Sequence, residues 1–169
     1  MGHREHERTA PRRVSVGVLT ISDTRTEATD HSGRIIRERL RRAGHRVAEH
    51  RIVPDEPARI RKVVREWSRN RQVQAMILTG GTGISPRDGT PEVVERLLMK
   101  RLDGFGELFR LLSYRQIGPA AFLSRAVAGV CGKKALFCLP GSEKGVTLAM
   151  DRLILPELGH LIQQLQTKR

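Results

Sequence analysis

The sequence predicts an α/β fold in which a doubly wound, mostly parallel sheet lies between helices, giving three layers. Short and almost continuous apolar runs, typical of strands buried on both faces, alternate along the chain with amphipathic segments. Parallel strands need helical crossovers, which cover both faces of a sheet. Glycine-containing loops follow two of the apolar runs, at the strand ends where α/β sheets bind ligands.

The first half of the chain is predicted to hold three strands and two helices. Residues 14–21 form a buried strand, and residues 32–44 form a helix that ends on a glycine. Residues 45–53 form a more polar strand, expected nearer an edge. A helix begins at Pro57, and residues 73–79 form the next buried strand. That helix has the clearest amphipathic pattern in the chain, in Ile60, Val63, Val64 and Trp67.

Three helices are predicted after the third strand. Thr90 is expected to cap the first of them, with Pro91 at its first helical position. Residues 106–114 and 119–125 have the composition of two short helices.

Two further strands and a long helix complete the predicted fold. The strands span residues 126–130 and 135–139 and are joined by a turn. The C-terminal helix contains Pro156, which is expected to kink or break it.

The composition is that of one globular domain. We expect a disordered basic tail over residues 1–13 and a single domain over residues 14–169. No apolar run approaches the roughly 18 residues of a membrane span, and the amino terminus has no apolar signal segment. We therefore expect a cytoplasmic protein, in which Cys131 and Cys138 are free, buried and chemically inert.

Two loops at strand ends are candidates for phosphate binding. Glycines let the backbone approach a ligand, and consecutive free N–H groups attract anions. Neither common nucleotide-binding signature is present, so ordinary turns remain the alternative. A valine at position 81 is expected to block a ligand with little loss of fold. The candidate residues are Thr79, Gly80, Gly81, Thr82, Gly83 and Ser142.

Two carboxylates close to these loops suggest a magnesium site. Asp55 follows the second strand, and Asp88 lies in the loop after the glycines. Mg²⁺ prefers oxygen ligands and often binds through one or two carboxylates together with substrate phosphates. The alternatives are a helix-capping role for Asp55 and a turn role for Asp88.

The net charge of +13 reflects basic residues concentrated in residues 34–71. A solvated face is the favoured interpretation, ahead of attraction for a polyanionic small substrate. Nucleic-acid binding is the least favoured, because the chain is poor in aromatic residues and carries no docking motif.

Seven motifs in order resemble the MoaB/MogA family of molybdenum-cofactor biosynthesis proteins, closest to the MoaB branch. The similarity extends from about Val14 to Leu165. The motifs are TISDTR (20–25), DHSG (30–33), VPDE (53–56), TGGTGISPRDGTPE (79–92), GFGELFR (104–110), LSRAVAG (123–129) and LPGS (139–142).

This resemblance implies the molybdopterin-binding fold and a set of site residues. Asp55 and Asp88 would serve the metal and catalysis. Residues 79–83 and Ser142 would lie at the pterin-phosphate end. The nucleotide-binding residues would be Ser22, Asp23, Asp30, Ser32, Gly33 and Glu107, although Glu107 also suits the first turns of a helix.

The resemblance also implies a reaction and an assembly. AMP would pass from ATP to the terminal phosphate of molybdopterin in a Mg²⁺-dependent reaction that releases pyrophosphate. The chain would form a homotrimer or a dimer of trimers. A further partner would be the molybdate-inserting enzyme of the pathway. The alternative is a noncatalytic molybdopterin-binding or scaffold protein of the same family.

Overall fold

A six-stranded sheet forms the centre of residues 11–167, the part of the chain that the computed structural model describes. The strand order is β2-β1-β3-β6-β5-β4, and β5 runs antiparallel to both of its neighbours. The other five strands share one direction, so the predicted mostly parallel sheet is confirmed. Residues 1–10 of the predicted tail lie outside the description. The strands are β1 (Ser15–Ile21), β2 (Arg46–Val53), β3 (Ala75–Thr79), β4 (Lys100–Arg101), β5 (Val127–Cys131) and β6 (Lys134–Leu139).

Helices cover both faces of this sheet. Apolar residues of α1, α4, α5 and α6 pack on one face, and those of α2 and α3 pack on the other. The predicted three-layer arrangement is therefore confirmed. The helices are α1 (His31–Arg42), α2 (Pro57–Arg69), α3 (Thr90–Glu95), α4 (Asp103–Ile117), α5 (Glu143–Ala149) and α6 (Leu155–Gln166).

The segment after β4 differs from the two short helices predicted there. A single helix, α4, continues to Ile117, because no residue between Tyr114 and Gly118 interrupts it. Gly118 ends it with a φ of 66°, and Pro119 follows in a 3₁₀ turn over Gly118–Leu123. The two-residue strand β4 was not predicted, because so short a strand has no alternating pattern.

Two local predictions involve the ends of helices. The predicted cap role of Thr90 is wrong: Gly89 occupies the N-cap, and Thr90 is the first residue of α3. The predicted interruption near Pro156 is present as a π-helical turn, Met150–Ile154, between α5 and α6. Proline lacks the N–H of a regular helical bond, so a wider turn before it is expected.

Trp67 fixes the distance between α2 and the sheet. Its indole is fully buried, and its N–H donates to Glu49 at 2.8 Å. Gly17 of β1 lies directly beneath the ring, since a Cβ there would lie 2.7 Å from Trp67 Cε3. The strand therefore needs glycine at this position.

Both cysteines lie in the apolar interior, as predicted. Cys131 and Cys138 are free and buried, and burial raises the pKa of each thiol. Within residues 11–167, no helix has the length and apolar character required to cross a bilayer.

We predict that Gly17→Ala lowers the free energy of unfolding by about 1–3 kcal/mol, because the added methyl group must displace the indole. Urea denaturation measures the change. Gly104→Ala is the matched control: it lies in α4 with open space around it, so stability should stay equal or rise. Equal stabilities for Gly17→Ala and the unsubstituted protein would contradict the packing argument.

Candidate functional site

Four neighbouring parallel strands end at one edge of the sheet. These strands are β2, β1, β3 and β6, and hydrogen bonds join the loops that follow them. The amide of Ser22 donates to Val53 at 2.9 Å, and the amide of Gly80 donates to Leu139 at 3.2 Å. The hydroxyl of Thr79 donates to the carbonyl of Pro140 at 2.9 Å. The loops therefore form one connected rim.

The glycine loop after β3 depends on the absence of side chains. Gly80 has a φ of 106°, and a Cβ there would lie 2.1 Å from the carbonyl oxygen of Ile21. Among residues 11–167, no acceptor takes the amide N–H of Gly81, Thr82 or Gly83. Three successive free N–H groups are the donors that a phosphate nest requires.

Gly81 has a φ of 62° and separates two polar side chains. A Cβ at this position would lie 2.2 Å from Thr90 Oγ1 and 2.5 Å from Asp55 Oδ2. The expectation that valine could replace Gly81 with little loss of fold is therefore wrong. A larger side chain would displace Asp55 as well as any ligand, and it would be strained at this φ.

Asp55 does not cap the helix that follows it. The N-cap of α2 is Glu56, which makes no side-chain capping bond. Within residues 11–167, Asp55 Oδ1 is buried without a hydrogen-bond partner. Burial raises the pKa of this carboxyl, the charges of Asp88 and Asp23 raise it further, and Arg87 opposes them. The geometry leaves Asp55 available for a ligand.

Two further carboxylates surround Asp55. Asp23 Oδ1 accepts the amide of Asp55 at 3.1 Å, and Asp23 Oδ2 pairs with the exposed guanidinium of Arg87 at 2.8 Å. Asp88 Oδ2 accepts the amide of Ser85 at 3.0 Å, so Asp88 also has the turn role that its sequence position suggested. The three acids place concentrated negative charge beside the glycine loop.

This arrangement suits a hard cation that also binds substrate oxygens. The unpartnered oxygen of Asp55 is an oxygen ligand in a site of excess negative charge. Among residues 11–167, no three His, Cys, Asp or Glu side chains are arranged to hold an ion by themselves. An ion here would need further oxygens, as Mg²⁺ commonly takes from phosphates and water.

Asp30 is held in an internal network beneath the rim. Its carboxylate accepts from Gly33 N at 2.9 Å and Thr20 Oγ1 at 2.8 Å, and His50 Nε2 lies 3.1 Å away. Burial alone would raise the pKa of Asp30, but the hydrogen bonds from His50, Gly33 and Thr20 lower it. Ser32 donates to the carbonyl of Gly141 at 2.7 Å. Asp30, Ser32 and Gly33 thus hold the rim in place.

Two cavities open on this rim. The first is polar and has a volume of about 440 Å³. The predicted residues that line it are Ser22, Asp30, Ser32, Thr79, Gly80 and Ser142. The second, of about 640 Å³, combines Thr82 and Gly83 with apolar groups of α4 and α5. Ser142 and Glu143 line both cavities, and Ser142 also caps α5 by accepting from Gly145 N.

Six of the predicted residues line neither cavity. They are Asp23, Gly33, Asp55, Gly81, Asp88 and Glu107. Glu107 lies on an exposed face of α4. Its sequence position in the first turns of a helix is confirmed.

A family model described as "Probable molybdopterin binding domain" matches residues 17–160. The chain belongs to this family. It is 48% identical over 166 residues to molybdenum cofactor biosynthesis protein B of Bacillus cereus, and the match covers 98% of each chain.

Solved structures give the same result. A molybdenum cofactor biosynthesis protein B shares 47% identity, with a TM-score of 0.92 over 95% of this chain and 100% of that chain. The tungsten cofactor synthesizing protein MoaB from Pyrococcus furiosus shares 34% identity, with a TM-score of 0.83 over 94% of this chain and 100% of that one. The resemblance and the fold class predicted from the motifs are confirmed.

Arg125 of this molybdopterin-binding domain binds the loop over residues 82–88, which contains Asp88. Sequence reasoning did not identify this role. The Nε of Arg125 donates to the carbonyl of Thr82 at 3.2 Å, and its Nη2 donates to the carbonyl of Asp88 at 2.8 Å. Its Nη1 pairs with Glu92 of α3. The motif LSRAVAG contains this arginine, but the contacts span 33–43 residues and leave no local pattern.

We predict that Asp55→Asn stabilises the metal-free protein at neutral pH. Because the folded-state pKa of Asp55 is raised, the ionised carboxyl weakens the fold, and this penalty grows as pH rises through that pKa. Thermal unfolding should show a gain for Asp55→Asn at pH 7 that disappears in acid.

Asp30→Asn is the matched control with the opposite sign. The lowered pKa of Asp30 means that its charge stabilises the fold at neutral pH and that this contribution is lost as pH falls through the folded pKa. A destabilised Asp55→Asn at pH 7 would contradict the assignment of an unpartnered carboxylate.

We also predict that Arg125→Lys loosens the loop over residues 82–88. Three separate guanidinium nitrogens reach the three acceptors, and a compact ammonium cannot span them all. A hydrogen bond to a charged group is worth roughly 1.5–3 kcal/mol. The hydrogen-bonded loop amides of Ser85 and Asp88 should exchange with solvent at least about tenfold faster. Arg101→Lys, which alters two exposed ion pairs outside this loop, serves as the control. Unchanged protection in the loop would show that Arg125 does not restrain it.

Proposed function

We propose that this chain acts in molybdenum cofactor biosynthesis as a molybdopterin adenylyltransferase that uses Mg²⁺ and ATP. The observation that carries the proposal is that amides without an acceptor lie next to a carboxylate without a partner. Three amide donors of the glycine loop lie beside Asp55, whose Oδ1 has no partner within the described residues. An anion nest next to a cation site is what phosphate transfer between two anionic substrates requires.

The two cavities support binding of two substrates. Both have the size of small-molecule sites. In this proposal, the polar cavity at the end of β1 takes the nucleotide. The cavity with apolar walls takes the pterin, whose phosphate reaches the amides of residues 81–83 and the hydroxyl of Ser142.

The proposed reaction needs no strong general base. The terminal phosphate of molybdopterin is already anionic at neutral pH, so one of its oxygens can attack the α-phosphorus of ATP. The bond from that phosphorus to the bridging oxygen breaks, and pyrophosphate leaves with the electron pair. The glycine-loop amides hold the attacking phosphate in line, which lowers the entropic part of the barrier.

Asp55 and Asp88 are the residues proposed to hold Mg²⁺. When bound, the ion neutralises charge on the triphosphate and polarises its oxygens. Arg125 contributes by fixing the backbone that carries Asp88. Arg87 is proposed to stabilise the leaving pyrophosphate, and it would have to exchange its present partner, Asp23, to do so.

The homo-oligomer implied by the resemblance is part of the proposal. Large apolar side chains are exposed along α4 and the 3₁₀ turn, and such a stripe supports an interface with further copies. They are Leu108, Leu111, Tyr114, Ile117 and Phe122.

We predict that Asp55→Asn and Asp88→Asn each lower turnover about 100-fold or more while molybdopterin binding stays nearly unchanged. The substitutions remove the charge that holds the ion, but the pterin phosphate contacts the amides. If both acids hold one ion, the double variant should be little worse than the worse single variant. Pyrophosphate release at varied Mg²⁺ gives turnover, and pterin binding is titrated separately.

Glu38→Gln, on an exposed part of α1, is the control for loss of an acidic charge. If both aspartate variants turn over as fast as the unsubstituted protein, the metal-site assignment is wrong. Pterin binding without pyrophosphate release by the unsubstituted protein would favour the noncatalytic binding protein instead.

A further inference from the structure

Thr90 is a buried residue whose hydroxyl lies close to Gly81 of the glycine loop. The residue is fully buried, and its backbone N–H donates to the carbonyl of Gly81 at 3.1 Å. Gly89, rather than Thr90, occupies the N-cap of α3. Within residues 11–167, Thr90 Oγ1 has no hydrogen-bond partner. Burying a hydroxyl without a hydrogen-bond partner is unfavourable, so its presence calls for an explanation.

A second unpartnered oxygen lies on the same side of the glycine loop. Asp55 Oδ1 is also buried without a partner in the part of the chain that the structure describes, and the two side chains meet across Gly81. A Cβ on Gly81 would lie within 2.5 Å of both Thr90 Oγ1 and Asp55 Oδ2. Two residues about 35 positions apart thus direct oxygen atoms at one small space that glycine keeps open.

The charges around this space select the kind of ligand. Asp23 Oδ1 accepts the amide of Asp55 at 3.1 Å, and Asp88 lies against the same glycine loop, where a Cβ on Gly83 would lie 2.6 Å from its Oδ2. A phosphate at this point would meet three carboxylates. A hard divalent cation would instead find a carboxylate oxygen and the lone pairs of a hydroxyl, and threonine hydroxyls bind Mg²⁺ in other phosphate-transfer sites.

We propose that the Thr90 hydroxyl is a cation ligand that completes the Asp55 site across Gly81. The inference rests on the proposed function for the identity of the ion, Mg²⁺, and adds to it a neutral oxygen that the acidic pair does not supply. Gly81 has a corresponding role, because a side chain there would displace both oxygens.

Thr90→Val separates this role from a structural one. Valine has the shape of threonine without the hydroxyl, so a methyl group replaces an unsatisfied oxygen. The metal-free variant should melt at the same temperature as the unsubstituted protein or higher. Thr20→Val is the contrast, because it removes an existing hydrogen bond to Asp30 and should melt lower. A lower melting temperature for Thr90→Val would overturn the proposal, since it would reveal a structural partner.

Metal binding is measured with Mn²⁺ alone, by electron paramagnetic resonance titration of the free ion. We expect Thr90→Val to weaken Mn²⁺ binding about tenfold or more, and Thr90→Ser, which keeps the hydroxyl, to restore it. Equal Mn²⁺ affinity in Thr90→Val, or no Mn²⁺ binding by the unsubstituted protein, would overturn the proposal. If Mn²⁺ binds through Thr90 but ATP and molybdopterin give no pyrophosphate, the proposed function fails and the cation site stands.

Discussion

The close approach of the glycine loop to β1 determines the geometry of the whole rim. At Gly80 the chain turns with a positive φ, directly against the carbonyl oxygen of Ile21. Any side chain at this point would push the loop away from the sheet. Since the amide of Gly80 also bonds to the end of β6, one residue connects three strand ends. The positions of the free amides and of Gly81 follow from this contact.

The rim combines a satisfied polar network with an unsatisfied one. Asp30 is fully hydrogen-bonded to Thr20, Gly33 and His50, and this bonding lowers its pKa. Asp55 lies at the same edge with a raised pKa and an oxygen that has no partner among residues 11–167. The first arrangement stabilises the fold, while the second is costly unless a ligand binds. The contrast separates a carboxylate whose hydrogen bonds are already made from one that is a candidate for binding a ligand.

The negative charge of the rim is notable in a chain of net charge +13. The positive charge of residues 34–71 is partly neutralised by nearby acids, as in the ion pairs Arg39–Asp151 and Arg51–Glu66. Asp23, Asp55 and Asp88 instead converge where the strands end. Net charge therefore says little about the site, because the local arrangement of carboxylates decides which ions it attracts.

The sequence by itself determined the fold class, the order of the five longer strands along the chain, and most of the loops that form the rim. Buried parallel strands and amphipathic helices have local periodicities, and glycines and aspartates at strand ends are adjacent to those patterns. The two errors have local causes. No residue near α4 distinguishes one long helix from two, and none near Thr90 distinguishes a cap from the first residue of a helix.

Only the tertiary structure decided which of these residues act together. Asp55 meets Thr90 across Gly81, and Arg125 reaches Thr82, Asp88 and Glu92, through contacts between segments far apart in the chain. Asp30 and Asp55 look alike in sequence, since both follow strands and precede helices. Their different roles arise from the partners that folding brings to each carboxylate, which no local pattern contains.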